Sequence, residues 1–408
     1  MKTVLSATLA GALLAMISPF GEAQADDSVF VGHLKDVTGA TGFVGKLYGE
    51  GVNDALVWIN AHGGIDGTRL DFESVDYAYE VPRAIALYKK WTGQNKMVAL
   101  QGWGTGDTEA LISFVAKDKI PVLSGSYSGH LTDPTGKNPK TQKPAPYNFF
   151  YGPSYSDACR ALVQWAEGDW KAKGKEGKPK FIHAGDNHPY PNAPKEACAD
   201  FATELGFEVL PPVVVSLKPG DFKAQCLTIR QSGANYVYVA NLGPSVVSLV
   251  KSCKTVGTDA QYMANIWGGD SETQKTLGAD GDGYVFVAAN AFWGDDAPGL
   301  ALVREIAGSD TPRTHHYIRG VCSTLYMKEA MEWAKAHGGL TGESIRNAMY
   351  ARKDWVPKGL EGVCIPSTWT PEDHRGMTKV FIYQMQNGSE IHKIAETDLP
   401  RRDDWLGY

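Results

Sequence analysis

Several features that would assign this chain to common protein classes are missing from its sequence. Beyond its first 25 residues, no apolar run approaches the roughly 20 residues that a membrane-spanning helix needs. The formal net charge is −6 and no sustained basic block occurs, so nucleic acid and anionic membranes are unfavourable partners. The absence of a CxxC pair, an HExxH segment and an ATPase motif weighs against a zinc centre, a redox motif or ATP hydrolysis. The apolar content, at 43%, is that of an ordinary globular protein.

The first 25 residues carry the features of an export signal. Lys2 supplies a positive start, residues 4–17 are mostly apolar, and a Ser-Pro pair at 18–19 ends the run. Residues 23–25 read Ala-Gln-Ala, the small-x-small form of a signal-peptidase site. We therefore expect a cleaved signal peptide over residues 1–25 and a periplasmic protein, with an uncleaved anchor as the alternative.

The cysteine count is even, and an oxidising compartment would favour disulfides over free thiols. The simplest pairing joins neighbours along the chain, and the first two pairs would each tie consecutive helices together. Buried apolar thiols are the alternative. The candidate pairs are Cys159 with Cys198, Cys226 with Cys253, and Cys322 with Cys364.

The remaining chain alternates short apolar runs with longer amphipathic segments, which is typical of a parallel sheet with helices on both faces. One such series covers residues 28–123 and includes a helix predicted over 108–117. A polar, proline-rich stretch at 132–146 separates it from a second series, which includes a strand predicted over 208–217. Because the length exceeds what one core usually covers, two domains are expected.

A glycine-rich turn follows the first predicted strand. Gly39, Gly42 and Gly45 have the GxxGxxG spacing of short-chain dehydrogenases, whose glycines let a pyrophosphate approach a helix N-terminus. That enzyme class also needs a Tyr-x-x-x-Lys pair, which is absent, and export would separate the chain from NAD. An exported NAD-dependent oxidoreductase is therefore the weaker alternative to a carboxylate-binding turn or a plain loop. Histidines at 183, 188, 315 and 316 lack the further ligands of a metal site, so no metal is expected.

Five segments occur in an order and spacing that resemble the type I periplasmic binding proteins, in particular the leucine/isoleucine/valine-binding branch of ABC-transporter receptors. They are INAHGGIDG at 59–67, GWGTGDT at 102–108, IPVLS at 120–124, LT at 131–132 and DHRG at 373–376. The resemblance covers most of the chain after the signal segment.

The resemblance implies an α/β fold with two doubly wound Rossmann-like lobes joined by a three-crossover hinge, the Venus-flytrap architecture. The N-terminal lobe would comprise 27–149 plus 290–375, and the C-terminal lobe 150–289 plus 376–408. The implied function is the periplasmic substrate-binding component of an ABC importer, without catalysis or cofactor. We expect a monomer that holds a small carboxylate-bearing solute in the interlobe cleft and docks on an inner-membrane ABC permease. A sensory receptor of the same fold is the alternative.

The resemblance also implies ligand-binding residues in loops at the carboxyl ends of the strands. Thr105 and Gly106 would present free N–H groups and the positive end of a helix dipole to the ligand's carboxylate. Asp107 departs from this pattern, because a carboxylate there would repel an anion unless it turned outward as a cap. The other candidates are Tyr48, Trp103, Ser126, Tyr127, Ser128, Tyr190, Asn241, Trp267 and Asp270.

One mismatch bears on the ligand. Amino-acid-binding relatives place an acidic residue after the strand predicted at 261–265, where it pairs with the ligand's ammonium, but here Ile266 and Trp267 follow that strand. A buried ammonium without a counter-charge costs several kcal/mol, unless Asp186 or Asp270 substitutes. An apolar box for an aromatic or otherwise apolar carboxylate is the competing prediction. Its candidate walls are Trp103, Trp267, Phe292 and Trp293.

Overall fold

Two separate sheets organise the chain in the computed structural model, which describes Met1 and residues 28–408. Apart from Met1, the predicted signal peptide lies outside the described residues. The first sheet has five parallel strands in the order β2-β1-β3-β4-β5. These strands are β1 (Ser28–Lys35), β2 (Arg69–Asp76), β3 (Met97–Gly102), β4 (Val122–Ser124) and β5 (Asn148–Phe150).

Six helices accompany the first sheet, three from the early chain and three from a later segment. They are α1 (Gly42–Ala61), α2 (Val81–Gln94), α3 (Thr105–Asp118), α10 (Leu300–Ala307), α11 (His315–His337) and α12 (Gly342–Tyr350). Helices α1 and α11 pack closely because each has a glycine at their contact. A Cβ added to Gly51 would clash with the Tyr317 carbonyl, and one added to Gly320 would clash with the Tyr48 carbonyl.

The second sheet has the order β13-β12-β11-β10-β9-β6-β7, with β8 also paired to β6. Its strands are β6 (Lys180–Gly185), β7 (Glu208–Val209), β8 (Val213–Val214), β9 (Tyr236–Val239), β10 (Gln261–Ala264), β11 (Val285–Ala288), β12 (Lys379–Gln386) and β13 (Glu390–Asp398). All pairs are parallel except the β11-β12-β13 edge, which is antiparallel. The accompanying helices are α4 (Tyr155–Ala172), α5 (Pro189–Asn192), α6 (Lys195–Glu204), α7 (Lys223–Ser232), α8 (Gly243–Thr255) and α9 (Ser271–Leu277).

The chain passes between the two lobes three times. It leaves the first sheet after β5 and enters α4, which packs on β11, β12 and β13. It returns after β11 through residues 289–299 to α10, which packs on α1, and it crosses again between α12 and β12. The predicted fold class, two α/β lobes with parallel sheets flanked by helices, is confirmed.

Local details differ from the sequence-based expectations where proline or a helix start was misjudged. The strand predicted over 208–217 is broken into β7 and β8, because Pro211 and Pro212 lack the N–H groups that a strand ladder needs. Helix α3 begins at Thr105 rather than at 108, with Gly104 as its N-cap. Strand β13 and the helices α5, α9, α10 and α12 had no predicted counterpart.

The predicted disulfide pairing is confirmed. Cys159–Cys198 joins α4 to α6 and Cys226–Cys253 joins α7 to α8, with Cα atoms 5.7 and 4.8 Å apart. Cys322–Cys364 ties α11 to the segment that follows α12, with Cα atoms 5.9 Å apart. Within the described range, no helix combines the length and apolarity that crossing a bilayer would demand.

Candidate functional site

A small cavity, with room for about one water molecule, lies between the two lobes. Its walls come from loops at the carboxyl ends of strands in both sheets and from the starts of α3, α4 and α5, which is where ligands bind in open α/β folds. The first lobe contributes Thr41, Tyr79, Trp103, Gly104, Thr105 and Gly125, and the second contributes Tyr155, Tyr190, Leu242 and Trp267.

The glycine-rich turn forms one wall of the cavity. The carboxylate of Asp36 accepts hydrogen bonds from the N–H groups of this turn. Asp36 accepts hydrogen bonds from the Gly39 amide at 2.6 Å and from the amide and hydroxyl of Thr41 at 2.8 and 2.6 Å. The Thr41 hydroxyl in turn accepts a 2.8 Å hydrogen bond from the Trp103 indole N–H. A Cβ at Gly39 or Gly42 would clash with a backbone carbonyl, so close packing explains these glycines.

At the start of α3, two predicted ligand residues meet. The Ser126 hydroxyl donates to the Thr105 hydroxyl oxygen at 3.0 Å, and both side chains are buried. Asp107 does not turn outward: it is 1% exposed and accepts a 2.7 Å hydrogen bond from the Tyr77 hydroxyl. Burial raises the pKa of Asp107 to about 7, even though the Tyr77 hydrogen bond opposes the shift. An anionic ligand at the start of α3 would therefore lie close to the acidic side chain of Asp107.

Aromatic side chains of the first lobe surround Trp267, which follows β10 in the second lobe. Tyr127 stacks on the Trp267 indole with centroids 5.5 Å apart and planes 9° apart. Trp103 and Tyr48 present their edges to the same indole at 5.0 and 5.9 Å. The Trp267 indole N–H donates to the Tyr155 hydroxyl at 3.0 Å. These contacts bridge the cleft, so the position of Trp267 is coupled to the relative position of the lobes.

Tyr190 lies opposite α3, in the short helix α5. Its hydroxyl donates to Asn265 Oδ1 at 3.0 Å, and its ring meets Tyr155 edge-on at 5.2 Å. Gly106, on the first lobe, faces the same helix, since a Cβ added there would lie 3.7 Å from the Pro189 ring. A second interlobe contact is the stacking of Tyr79 on His188, with centroids 5.1 Å apart.

Seven of the predicted ligand residues do not line the cavity: Tyr48, Gly106, Ser126, Tyr127, Ser128, Asn241 and Asp270. The last three have partners elsewhere within the protein. Ser128 donates to Glu109 at 2.7 Å, and the Asn241 amide donates to the Val215 and Ser216 carbonyls. Asp270 caps α9 by accepting from the Thr273 amide at 2.7 Å and lies 3.3 Å from His316. Burial would raise the pKa of Asp270, but the interactions with His316 and Thr273 hold it below its usual value.

The structure also places the remaining expected aromatic residues and histidines. Phe292 stacks on His315 at 4.9 Å and Trp293 lies near Tyr317, so neither lines the cavity. Burial lowers the pKa of His183 to about 3, which keeps that imidazole neutral. Among the described residues, no three His, Cys, Asp or Glu side chains are grouped as a metal site would require.

Sequence reasoning missed Tyr79 and Tyr155 as cavity residues. Tyr79 reaches the cavity from a backbone with φ of 61°, a left-handed conformation that its sequence does not signal. Tyr155 is the first residue of α4, directly after a crossover, so only the hinge geometry brings it to the cleft. Thr41 lies within the glycine-rich turn, between Gly39 and Gly42, and its hydroxyl was the available signal.

Comparisons with known proteins agree with this architecture. The sequence model described as "Periplasmic binding protein" matches residues 28–390. A curated relative named "Amino acid binding protein", from Pseudomonas aeruginosa, is 26% identical over 341 residues, covering 81% of this chain and 87% of the relative.

Two solved structures are similar over nearly the whole chain. An ABC transporter substrate-binding protein from Aeropyrum pernix has a TM-score of 0.82 and 26% identity, covering 93% of this chain and 98% of that one. A branched-chain amino acid ABC transporter protein from Thermus thermophilus, with bound valine, has a TM-score of 0.81 and 20% identity, covering 91% and 97%. The family match, supported by the same two-lobed fold, establishes that this chain belongs to the periplasmic binding proteins, in the leucine/isoleucine/valine-binding-protein-like group.

Proposed function

We propose that this protein is the periplasmic substrate-binding component of an ABC importer and that it binds a small carboxylate-bearing solute between its lobes. The observation that carries the proposal is the cavity at the carboxyl ends of both sheets, with walls from both lobes. A solute in that position contacts both lobes at once. Its binding energy therefore favours the closed arrangement over an open one.

The moving bodies in this proposal are residues 27–149 plus 290–375 and residues 150–289 plus 376–408. Closure presents a surface that an inner-membrane permease distinguishes from that of the open form. The solute leaves chemically unaltered, so the protein acts as a binding protein and not as an enzyme.

The chemistry of the walls bears on the solute. The described residues that line the cavity include five aromatic side chains and no acidic one. The ammonium of an amino acid would thus lack a direct counter-charge, which favours an aromatic or apolar carboxylate. The names of the Pseudomonas aeruginosa and Thermus thermophilus proteins refer to amino acids, so amino acids are also included among the solutes to be tested.

The dehydrogenase alternative loses its main support in the glycine-rich turn. A dinucleotide's pyrophosphate would need the N–H groups of that turn, but Asp36 already accepts from the Gly39 and Thr41 amides. A carboxylate in that place would also repel a phosphate.

The test is a binding screen with the purified protein, using amino acids, aromatic carboxylates and aliphatic carboxylates, read by thermal unfolding and calorimetry. For any solute that binds, we expect Thr105→Ala with Tyr190→Phe to weaken affinity about 10-fold or more, since each change removes a hydroxyl at the cavity. Thr276→Ala with Tyr262→Phe is the matched control, because both residues lie outside the cavity walls. Equal affinities of the two double variants would contradict the placement.

Transport itself needs a second measurement. In vesicles that carry the ABC permease of the same organism, the loaded protein should stimulate ATP hydrolysis and solute uptake. Binding without either effect would favour a sensory receptor of the same fold over an importer component.

A further inference from the structure

Arg319, in α11, is a buried cation without a carboxylate partner among the described residues. Its side chain is 0% exposed. Nη1 donates to the Ile266 carbonyl at 3.2 Å, whereas Nε and Nη2 have no hydrogen-bond partner. These two nitrogens form one edge of the guanidinium, the fork that binds a carboxylate through two parallel hydrogen bonds. Because burying an unpaired charge is costly, the free edge calls for a functional explanation.

The surroundings of Arg319 satisfy its charge only in part. Its Cζ lies 4.4 Å from the Trp267 ring centre and 5.8 Å from that of Tyr127, within the range of cation–π attraction. Ring faces accept N–H groups only weakly, so they do not replace an oxygen acceptor for the remaining N–H groups. The Tyr127 hydroxyl is itself buried without a partner. Asp270 accepts from the Thr273 amide through Oδ1, and its Oδ2 lies 3.3 Å from His316 rather than in an ion pair with Arg319.

Trp267 lies between the Arg319 guanidinium and the interlobe cavity. Its indole lines the cavity and also contacts the Arg319 guanidinium. It sits on the short loop between β10 and α9, whereas Arg319 is held within the long helix α11. A side-chain movement of Trp267 would therefore join the cavity to the guanidinium without moving a helix.

The opposite end of the cavity is less suited to an anion. The Thr105 hydroxyl already accepts from Ser126, and the buried Asp107 lies in the same first turn of α3. The start of α3 offers backbone N–H groups beside an acidic side chain, whereas the end next to Arg319 holds a formal positive charge and two side-chain nitrogens without partners.

We propose that Arg319 anchors the carboxylate of the transported solute, which reaches the guanidinium when the Trp267 indole moves aside. The solute is then a monocarboxylate with a flat or branched apolar body, and that body packs against Trp267, Tyr48 and Tyr127. This inference rests on the proposed function and fixes which end of the solute faces α11.

The experiment compares each carboxylate with its neutral amide, using 3-phenylpropionate with 3-phenylpropanamide and L-leucine with L-leucinamide. Calorimetry is run on the wild type, Arg319→Met, Arg319→Lys and the surface control Arg346→Met. We expect the wild type to bind at least one carboxylate far better than its amide. Arg319→Met should weaken that carboxylate about 100-fold and leave the amide unchanged, because only the carboxylate loses a charged partner.

Arg319→Lys keeps the charge but loses the fork, so we expect an intermediate loss of about 10-fold for the carboxylate. Arg319→Lys also tests the inference if Arg319→Met fails to fold. We expect the free methionine variant to unfold at or above the wild-type temperature, since it removes a buried unpaired charge. A lower unfolding temperature with equal losses for carboxylate and amide would mean a structural role and would overturn the inference.

The outcomes distinguish a failure of the Arg319 anchor from a failure of the proposed function. If Arg319→Met keeps the wild-type preference for carboxylate over amide, the anchor is wrong while the proposed function stands. If no carboxylate from the wider screen binds the wild type, the proposed function fails and the anchor fails with it.

Discussion

The Tyr151 hydroxyl donates a 2.5 Å hydrogen bond to the carbonyl of Ala289. The two residues lie on different crossovers between the lobes, one after β5 and the other after β11. The same hydroxyl accepts a 2.6 Å hydrogen bond from the Ile365 amide, which belongs to the segment leading to the third crossover. The Tyr151 hydroxyl therefore links two crossover segments to the segment that leads to the third, and these are the segments about which the lobes would move.

Removing that hydroxyl should destabilise the protein. We expect Tyr151→Phe to lower the free energy of unfolding by about 1–3 kcal/mol, because the buried Ala289 carbonyl and the half-buried Ile365 amide lose their partner. Urea unfolding measures the change. The control is Tyr262→Phe, whose hydroxyl is also buried but has no hydrogen-bond partner. Similar losses in both variants would show that the Tyr151 hydroxyl does not stabilise the hinge.

Asp107 should give the stability a distinctive pH dependence. Its pKa is raised from 3.8 to about 7, so between these values the folded state holds a proton that the unfolded state has released. The contribution is fully present below the unfolded pKa, and stability falls as pH rises toward 7, by an amount on the order of a few kcal/mol. Asp107→Asn cannot lose a proton, so it should lack this decline.

The measurement is the difference in unfolding free energy between the wild type and Asp107→Asn at about pH 4.5 and about pH 7.5. The difference is needed because buried His33 and His183, whose pKa values are lowered to about 3, make stability rise with pH instead. We expect the unfolding free energy of Asp107→Asn to increase relative to that of the wild type as the pH rises. Parallel profiles would mean that Asp107 titrates normally in the folded protein.

The glycine-rich turn should behave as a packing feature. Because a Cβ at Gly39 would clash with the Ala78 carbonyl, we expect Gly39→Ala to destabilise the protein by about 1–3 kcal/mol. Gly93, near the end of α2, has open space around it, so Gly93→Ala should stabilise the protein by about 0.5–1 kcal/mol. Thermal unfolding separates the two. A harmless Gly39→Ala would remove the packing explanation and restore the ligand-binding one.

The disulfides should contribute to stability in both lobes. Replacing Cys226 and Cys253 by alanine opens a loop with a sequence separation of 27 residues, and we expect a loss of about 2–4 kcal/mol. Guanidinium unfolding of the oxidised double variant measures it. The unfolded wild type should show no reactive thiol before reduction. Any thiol titre in that sample would contradict the pairing.

Much of the fold could be predicted because the alternation of strand and helix is a local pattern. The cysteine pairing followed for the same reason, since each pair joins elements near each other in the chain. The break at Pro211 and Pro212 was not predicted, although the sequence contains the signal for it. Two adjacent residues without N–H groups do not sustain a strand. Strand β13 was harder, because its residues 390–398 are largely polar and partly exposed.

The candidate site was only partly predictable. Trp103, Thr105, Tyr190 and Trp267 line the cavity because each lies just after a strand or at the start of a helix. Arg319 lies within a long helix whose apolar residues show almost no preferred face, so the sequence does not mark it as buried. Its environment depends on residues distant in the chain, such as Tyr127 and Trp267, and only the folded structure brings them together.

Each of the three disulfides joins residues on the same side of the hinge. Oxidation therefore reinforces each half of the molecule internally and leaves the angle between the halves to weaker forces, such as the Tyr151 hydrogen bonds and the aromatic contacts of Trp267. Reduction should shorten the lifetime of the native state without altering the amplitude of opening. Durability and mobility can thus change independently in this molecule, through different sets of residues.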